Sequence, residues 1–392
     1  ILFLAWVTVF FIAGLYEKHT SILKEKIPLR LLNAQIINTL VAIIFFYFIP
    51  YFGVAPKTIL FIDLILSFLF VYSWRSLSNH IFGLKSKESA IIIGSGDEVS
   101  ILEKEINSNG RYGLKLVSNI DPSKYDSTKI LDEIRQKVSS ENVSVIIMDL
   151  KDEKVVPTLS QLYSLIFSGV NFVDINEVYE SIFNREPLSL VKYNWFLENI
   201  SQRPRVFYDF VKRFVDIIFS FVVGVVFLVF LPFVALAIKI EDGGSVFYRQ
   251  ERIGKNNKTI KILKFRSMSQ KEKEKITKVG LILRKTRIDE LPQFWNLLSG
   301  DVSLIGPRPE SPTLAKEYER EIPYYNIRHI IKPGLSGWAQ IYQENPPKYG
   351  VDFSNTKDKL SYDLYYVKNR SLAMDFSVGL KTFKELISTK GK

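Results

Sequence analysis

Residues 217–238 read IIFSFVVGVVFLVFLPFVALAI, a run of 22 residues without a charge between Asp216 and Lys239. About 20 such residues are enough to cross a bilayer as a helix. Pro232 lies inside the run, and a proline removes a backbone donor and kinks or breaks a helix. The run therefore predicts either a kinked span or a re-entrant helix that enters and leaves by the same leaflet. Its edges carry basic residues suited to anionic lipid headgroups: Arg203, Arg205, Lys212, Arg213 and Lys239.

Three further apolar runs precede it, at residues 1–15, 36–52 and 58–74. Their length and their content of Phe and Ile favour transmembrane helices over buried core helices, so residues 1–75 are predicted to lie in the membrane. The segments after the first and third runs are the most basic, and the positive-inside rule places both in the cytoplasm. The visible N-terminus would then lie outside, and we expect one more span upstream. The flanking cations are Lys18, Lys24, Lys26, Arg30, Arg75, Lys85 and Lys87.

Residues 76–200 read as alternating short strands and helices, which predicts a parallel sheet in a Rossmann-like domain. Gly94 and Gly96 follow the first strand, as in a dinucleotide fingerprint, but Val99 occupies the third glycine position. The pattern therefore favours a tight strand-to-helix turn without a ligand.

The net charge of +11 is concentrated in one half of the chain. Residues 201–392 hold 33 Lys+Arg and 20 Asp+Glu, a net of +13, which leaves −2 for the rest. Such a surplus indicates an anionic partner: nucleic acid, anionic lipid or a phosphorylated substrate. With no Cys, thiolate chemistry and Cys-based metal sites are excluded, and three His far apart in sequence disfavour a His-rich metal site. The chemistry must depend on carboxylates, Lys, Arg, hydroxyls or an oxygen-bound metal.

Cations lie at the ends of apolar stretches in this basic half. The segments are Lys264-Phe-Arg266-Ser-Met268, Arg284-x4-Asp289-Glu290-Leu-Pro292-Gln293 and Ile305-Gly-Pro-Arg308-Pro. Arg and Lys bind phosphate oxygens, and one carboxylate of an acidic pair can bind Mg²⁺ while the other attacks phosphorus. Two other interpretations stay open at this point: Asp289 can cap the following helix, and the cations can be solvated or face lipid.

With these segments, and with Gly300-Asp301-x-Ser303, Pro333-Gly334 and Tyr362-Asp-Leu-Tyr-Tyr366, residues 201–392 resemble the bacterial sugar transferases, or monotopic phosphoglycosyl transferases. The upstream part is similar to the large members, which carry membrane spans and a CoA-binding-like domain. The resemblance implies an α/β membrane protein with N-terminal transmembrane helices (1–75), a Rossmann-like domain (76–200) and a mainly α catalytic domain (201–392). It also favours a re-entrant helix over residues 205–240, broken at Pro232.

The resemblance further implies transfer of a sugar-1-phosphate from a UDP-sugar to undecaprenyl phosphate, with release of UMP, at the start of exopolysaccharide, O-antigen or capsule assembly. Asp289 would be the nucleophile and Glu290 would help to hold Mg²⁺. Lys264, Arg284, Arg308 and, more weakly, Arg266 match positions associated with substrate phosphates. The expected location is the bacterial inner membrane, with the catalytic domain in the cytoplasm, facing an anionic bilayer and no nucleic acid. A homo-oligomer stays open.

One segment departs from the family pattern. Gly337-Trp-Ala-Gln340 is followed by Ile-Tyr-Gln-Glu-Asn-Pro-Pro, without the Gly-Arg pair that many members carry there, so no sugar is assigned. A nucleotide-sugar-modifying enzyme and a non-catalytic export scaffold are the alternative functions. A processive glycosyltransferase is disfavoured because the chain has no Asp-x-Asp for a metal-bound nucleotide.

Overall fold

A computed structural model describes residues 2–13, 15, 27–48, 57–82, 88–125, 127–200, 205–270, 275–347 and 350–387. The chain forms two compact units, Ile1–Phe183 and Asn184–Lys392. Residues 184–200, which the sequence analysis assigned to the middle domain, pack within the C-terminal unit. They do so because Trp195 and Phe196 are buried in one apolar cluster with Leu360.

Three helices open the N-terminal unit: α1 (Leu2–Ile12), α2 (Ile27–Phe48) and α3 (Lys57–Phe82). Leu31 and Ala34 of α2 are buried in one apolar cluster with Phe10 of α1 and Phe68 of α3. Their continuous apolar stretches within the described residues are short, at Leu2–Ile12, Leu31–Phe46 and Ile62–Trp74. Transmembrane helices over residues 1–75 therefore stay a prediction. The topology argument depends partly on cations outside the described residues: Lys18, Lys24, Lys26, Lys85 and Lys87.

The predicted parallel sheet is confirmed in the rest of this unit. Its elements are β1 (Glu88–Ile93), α4 (Asp97–Ser108), β2 (Leu114–Ile120), α5 (Ser127–Glu141), β3 (Val143–Met148), α6 (Leu159–Leu162), β4 (Asn171–Asp174) and α7 (Ile175–Phe183). The strands pair in parallel in the order β2-β1-β3-β4. Ile91 and Ile146 on the sheet bury against Ile134 of α5. Gly96 has a φ of 108°, so the turn into α4 needs a glycine for its backbone conformation alone.

The C-terminal unit is mainly helical, as expected. Its helices are α8 (Tyr193–Asn199), α9 (Val206–Asp242), α10 (Lys278–Thr286), α11 (Phe294–Ser299), α12 (Pro312–Glu321), α13 (Trp338–Tyr342), α14 (Phe353–Asn369) and α15 (Leu372–Ile387). The strands β5 (Phe247–Ile253) and β6 (Thr259–Phe265) form an antiparallel hairpin, and β7 (Ser303–Ile305) pairs in parallel with β8 (Gly334–Ser336).

Helix α9 has 37 residues and is about 55 Å long at 1.5 Å per residue. Among the described residues it is the helix that is long and apolar enough to cross a membrane. Pro232 lies inside it without interrupting the helix, so the predicted break is not a gap between two helices. One stripe is buried along nearly the whole length, from Tyr208 to Ile238. Elsewhere the helix exposes large apolar side chains, such as Phe221 and Phe233, which are 73% and 70% accessible.

Both ends of α9 bind the same folded unit through polar contacts. Near its start, Lys212 forms an ion pair with Asp375 of α15 at 2.6 Å. At its end, Asp242 pairs with Arg266 at 2.9 Å. The neighbouring Glu241 carboxylate accepts hydrogen bonds from the first two backbone N–H groups of α10, at 2.7 and 2.9 Å. The C-terminal unit therefore fixes α9 at two points far apart on the helix.

Gly280 allows α10 to pass close to the strand end that carries the predicted phosphate-binding residues. A Cβ atom at this position would lie 2.0 Å from the backbone oxygen of Ser267. Because backbone cannot move aside cheaply, we expect Gly280→Ala to lower the free energy of unfolding by about 1–3 kcal/mol. Gly379→Ala in α15 is the matched control, since no atom lies within 4 Å of its added carbon. Thermal unfolding of the two variants in detergent measures the difference, and equal melting temperatures would contradict the prediction.

Candidate active site

Asp289 and Glu290 lie in a short 3₁₀ helix, Ile288–Gln293, between α10 and α11. The preceding Arg287 ends α10 in the left-handed conformation, with a φ of 57° that is unusual for a residue other than glycine. This residue redirects the chain, so the acidic pair opens a new turn. The N-cap of α11 is Gln293, and the interpretation of Asp289 as the cap of that helix is therefore wrong.

Apolar neighbours hold the acidic pair against α9. Ile288 and Leu291, on either side of the pair, pack in one cluster with Phe227 of α9. The Ser220 hydroxyl of α9 donates a hydrogen bond to the backbone oxygen of Phe294 at 2.7 Å. The carboxylates consequently sit beside the most apolar helix of the unit.

Three of the four predicted phosphate-binding cations lie around this pair. Lys264 comes from β6, and its Nζ donates to Glu290 Oε1 at 3.0 Å. Arg284 comes from α10, and its charge acts on Asp289 together with that of Lys264. Arg308, which follows β7, acts on Glu290. The fold thus brings together residues from three separate segments of the sequence.

The two carboxylates differ in their electrostatic surroundings. Burial, and then the neighbouring charge of Glu290, raise the pKa of Asp289 above its usual value, against the opposing effect of Lys264 and Arg284. Burial also acts to raise the pKa of Glu290, but the charges of Lys264 and Arg308 more than offset it and leave that pKa lowered. Unequal pKa values within an acidic pair are typical of sites where the two groups have different tasks.

Arg266, the fourth predicted cation, lies in another environment. It pairs with Asp242 at the end of α9 and donates to the side chain of Gln270 at 2.8 Å. In this structure its guanidinium anchors α9 to the segment after β6. Its predicted role in phosphate binding stays a prediction.

The acidic pair fits a magnesium ion that is held mainly by the substrate. Mg²⁺ is commonly bound by one or two carboxylates together with substrate phosphates. The Glu290 side chain is 33% accessible, and Lys264 contacts one of its two carboxylate oxygens. No group of three or more acidic or histidine side chains within the described ranges could hold a metal by itself. A metal at this site would take its remaining ligands from water or from the substrate.

A buried network of charged side chains holds the backbone of the loop that carries Arg308. Arg328 is 1% exposed, and it pairs with Asp363, which is equally buried, at 2.7 Å. Its Nη2 also donates to the backbone oxygen of Arg308 at 2.8 Å. Glu310 pairs with Lys359 in the same region. The loop that carries Arg308 is thus tied to α14 by ion pairs that solvent does not screen.

Sequence reasoning did not find this network. The available signal was weak: Arg328 and His329 are polar residues inside the otherwise apolar run Ile327–Ile331. Polar residues in such a run indicate buried partners, but nothing in the run shows which acidic residues they meet.

A family model described as bacterial sugar transferase matches residues 207–389, which include all of α9 but its first residue, the acidic pair and all of the surrounding cations. A curated relative, the exopolysaccharide production protein PSS of Rhizobium leguminosarum, is 38% identical over 196 residues that make up 97% of its length and 46% of this chain. The chain belongs to the bacterial sugar transferase family.

Two longer relatives also match the chain. A UDP-N-acetylgalactosamine-undecaprenyl-phosphate N-acetylgalactosaminephosphotransferase of Aeromonas hydrophila is 36% identical over 260 residues, 63% of this chain and 59% of the relative. A UDP-glucose:undecaprenyl-phosphate glucose-1-phosphate transferase of Escherichia coli K12 is 37% identical over 190 residues, 45% of this chain and 40% of the relative. The matched part of the chain thus covers less than two thirds of either of these relatives.

The Arg328–Asp363 pair offers a test of the network. Asp363→Asn removes the carboxylate nearest to the buried Arg328 charge and leaves only the longer contact with Glu310 at 3.9 Å, so we expect the free energy of unfolding to fall by about 3–5 kcal/mol. Asp132→Asn, at an exposed position on α5, is the control for the same chemical change. Chemical denaturation of the purified proteins gives the free energy of unfolding of each variant. A decrease no larger than that of the control would contradict the prediction.

Proposed function

We propose that the chain transfers a sugar-1-phosphate from a UDP-sugar to undecaprenyl phosphate and releases UMP. One observation carries the proposal: Asp289 and Glu290 are surrounded by three cations and packed against an apolar helix that exposes large apolar side chains on its other faces. A water-soluble nucleotide-sugar and a membrane-embedded lipid phosphate can both reach such a site. The names of the Aeromonas and Escherichia relatives describe this type of reaction. A non-catalytic scaffold would not need the clustered cations.

The reaction would proceed in two steps through Asp289. Its carboxylate attacks the sugar-linked phosphorus, the phosphoanhydride bond to UMP breaks, and an aspartyl-phosphosugar forms. A phosphate oxygen of undecaprenyl phosphate then attacks the same phosphorus, and the acyl-phosphate bond breaks to restore the carboxylate. The two anionic substrates are separated in time. The lipid-linked sugar would start exopolysaccharide, O-antigen or capsule assembly.

The surrounding cations have two tasks in this scheme. Lys264 and Arg284 stabilise the ionised form of Asp289, although burial raises its pKa. Lys264, Arg284 and Arg308 would also neutralise the charge of the phosphoryl group during transfer, which is the main source of catalysis in phosphoryl transfer. Because the fold already holds these charges in place, little reorganisation is needed when the substrate binds.

Glu290 is the proposed protein ligand of Mg²⁺. When bound, Mg²⁺ neutralises charge on the diphosphate. The low pKa of Glu290 supports this role, because an ionised carboxylate is the form that binds a hard cation. Lys264 holds Glu290 in place through its contact with one carboxylate oxygen.

We further propose that α9 is re-entrant and that the C-terminal unit faces the cytoplasm at the inner membrane of a bacterium. The polar contacts at both ends of α9 support this, since the same compact unit binds Lys212 near one end and Asp242 at the other. A straight crossing would place these contacts on opposite sides of the bilayer. The exposed apolar face of α9 would then lie in the lipid.

The covalent step can be tested directly. Asp289→Asn keeps the size of the side chain but removes the nucleophilic carboxylate, so turnover should fall by several orders of magnitude. Wild type given labelled UDP-sugar without lipid should retain sugar-phosphate, release UMP and lose the label to hydroxylamine. The control Asp132→Asn should behave as wild type. Label that persists on Asp289→Asn would place the nucleophile elsewhere.

The re-entrant arrangement predicts the side on which introduced cysteines are labelled. The natural chain has no Cys, so Leu197→Cys before α9 and Ser245→Cys after it are unique targets. Both positions are exposed, and both should react from the cytoplasmic side in inverted membrane vesicles. Labelling from opposite sides would mean that α9 crosses the bilayer.

The metal proposal predicts that chelation stops sugar-phosphate transfer and that added Mg²⁺ restores it. Glu290→Gln should need a higher Mg²⁺ concentration for half-maximal transfer, because a neutral amide is a weaker ligand for a hard cation. UMP release at a series of Mg²⁺ concentrations measures both effects. Full activity in excess chelator would remove Glu290 from this role.

A further inference from the structure

A second basic site lies near the start of α9. It is a cavity of about 350 Å³, and Asp289 is not among the residues that line it. Residues from α9, from the β5–β6 turn, from the segment before β8 and from the end of α14 form its wall. The polar groups that matter most are Lys212, Arg213, Lys255, Lys332, Tyr366 and Arg370.

Two of these cations, Lys332 and Arg213, converge on one point beside Gly300. A Cβ atom at Gly300 would lie 3.0 Å from Lys332 Nζ and 3.3 Å from Arg213 Nη1. Within the described ranges, the Lys332 ammonium has no hydrogen-bond or ion-pair partner, whereas Arg213 donates to two backbone oxygens of α11. Partial burial, and then the charge of Arg213, lower the pKa of Lys332. These effects outweigh the opposing charges of Asp216 and Asp301.

The nearest carboxylates are already engaged. Asp216 accepts hydrogen bonds from the backbone N–H of Leu304 at 2.9 Å and from the Ser303 hydroxyl at 3.2 Å. Asp301 accepts one from the Ser299 hydroxyl at 2.7 Å. These contacts stabilise β7 and the end of α11. The cavity wall holds five cations against two carboxylates, Asp209 and Asp216, so even with Lys212 paired to Asp375 it keeps a surplus of positive charge that an external anion can neutralise.

We propose that this cavity binds the phosphate group of an anionic membrane lipid. Phe207, Phe210 and Phe214 are 74%, 70% and 56% exposed, and they lie on the same turns of α9 as Lys212 and Arg213. Exposed aromatic side chains beside cations are typical of a helix at the membrane interface. A headgroup phosphate at that level would lie beside the cavity, whereas soluble phosphate gains nothing from the phenylalanines.

The proposal rests on the membrane placement of α9 but not on the transfer reaction. It assigns a role to Lys332, which belongs to the Lys332-Pro333-Gly334 segment and is not part of the acidic site. The lipid would hold the start of α9 at the interface, while the catalytic pair packs against a later part of the same helix.

Binding can be measured on the full chain in detergent, in the Asp289→Asn background so that no turnover occurs. The probes are short-chain phosphatidylglycerol, short-chain phosphatidylcholine, inorganic phosphate and UMP. The double variant Lys332→Gln/Lys255→Gln should bind phosphatidylglycerol about 30-fold more weakly, from about 1 kcal/mol per lysine. Lys316→Gln/Lys357→Gln, which changes two exposed lysines elsewhere in the unit, should bind as the parent does. The double variant Lys332→Arg/Lys255→Arg should bind phosphatidylglycerol with most of the affinity of the parent.

Each outcome decides the question. Selective loss of phosphatidylglycerol binding in the cavity variant supports the site. Equal affinity in the cavity and control variants overturns it, as does equal binding of phosphatidylglycerol and phosphatidylcholine by the parent. If inorganic phosphate or UMP binds with the same dependence on the two lysines and phosphatidylglycerol does not, the source is soluble and the lipid assignment is wrong. Flotation of the parent with neutral vesicles separately tests the membrane placement.

Discussion

Phe227 of α9 and Phe294 at the start of α11 pack with their ring centroids 5.0 Å apart, and this contact joins the long apolar helix to the segment that carries the acidic pair. The same cluster holds Ile288 and Leu291, which flank the acidic pair. Burying each aromatic side chain contributes about 1.5–3 kcal/mol relative to leaving it in water. The contact therefore fixes two features together: one face of the apolar helix is covered, and the acidic segment receives a rigid position beside it.

This packing explains why the site needs so many cations. Burial against an apolar helix disfavours charged carboxylates, and the raised pKa of Asp289 is the direct consequence. Lys264 counters it from the hairpin, and Arg308 holds Glu290 ionised. Arg308 in turn depends on the buried pair between Arg328 and the helix α14. Apolar packing places the acidic pair, and cations from distant segments of the chain counter the effect of burial on its two carboxylates.

Much of this was predictable from local sequence. Alternation of short apolar strands with helices predicts a parallel sheet, because side-chain periodicity is a local property of the backbone. The apolar run around Gly224 predicts a long lipid-compatible helix for the same reason. The adjacency of Asp289 and Glu290, with Arg284 five positions earlier, indicated an acidic pair near a cation, and resemblance to known sugar transferases added Lys264 and Arg308.

The sequence by itself determined the strand and helix alternation of the parallel-sheet region and the long apolar helix, and it indicated the acidic pair as a candidate site. Only the tertiary structure decided that Arg266 anchors the end of α9, that the helix continues through Pro232, and that Lys332 meets Arg213 in a separate cavity. Periodicity and composition act between neighbours in the chain, but an ion pair or a cavity wall joins residues that are far apart in it. Tertiary packing therefore decides which cations pair with a carboxylate and which do not.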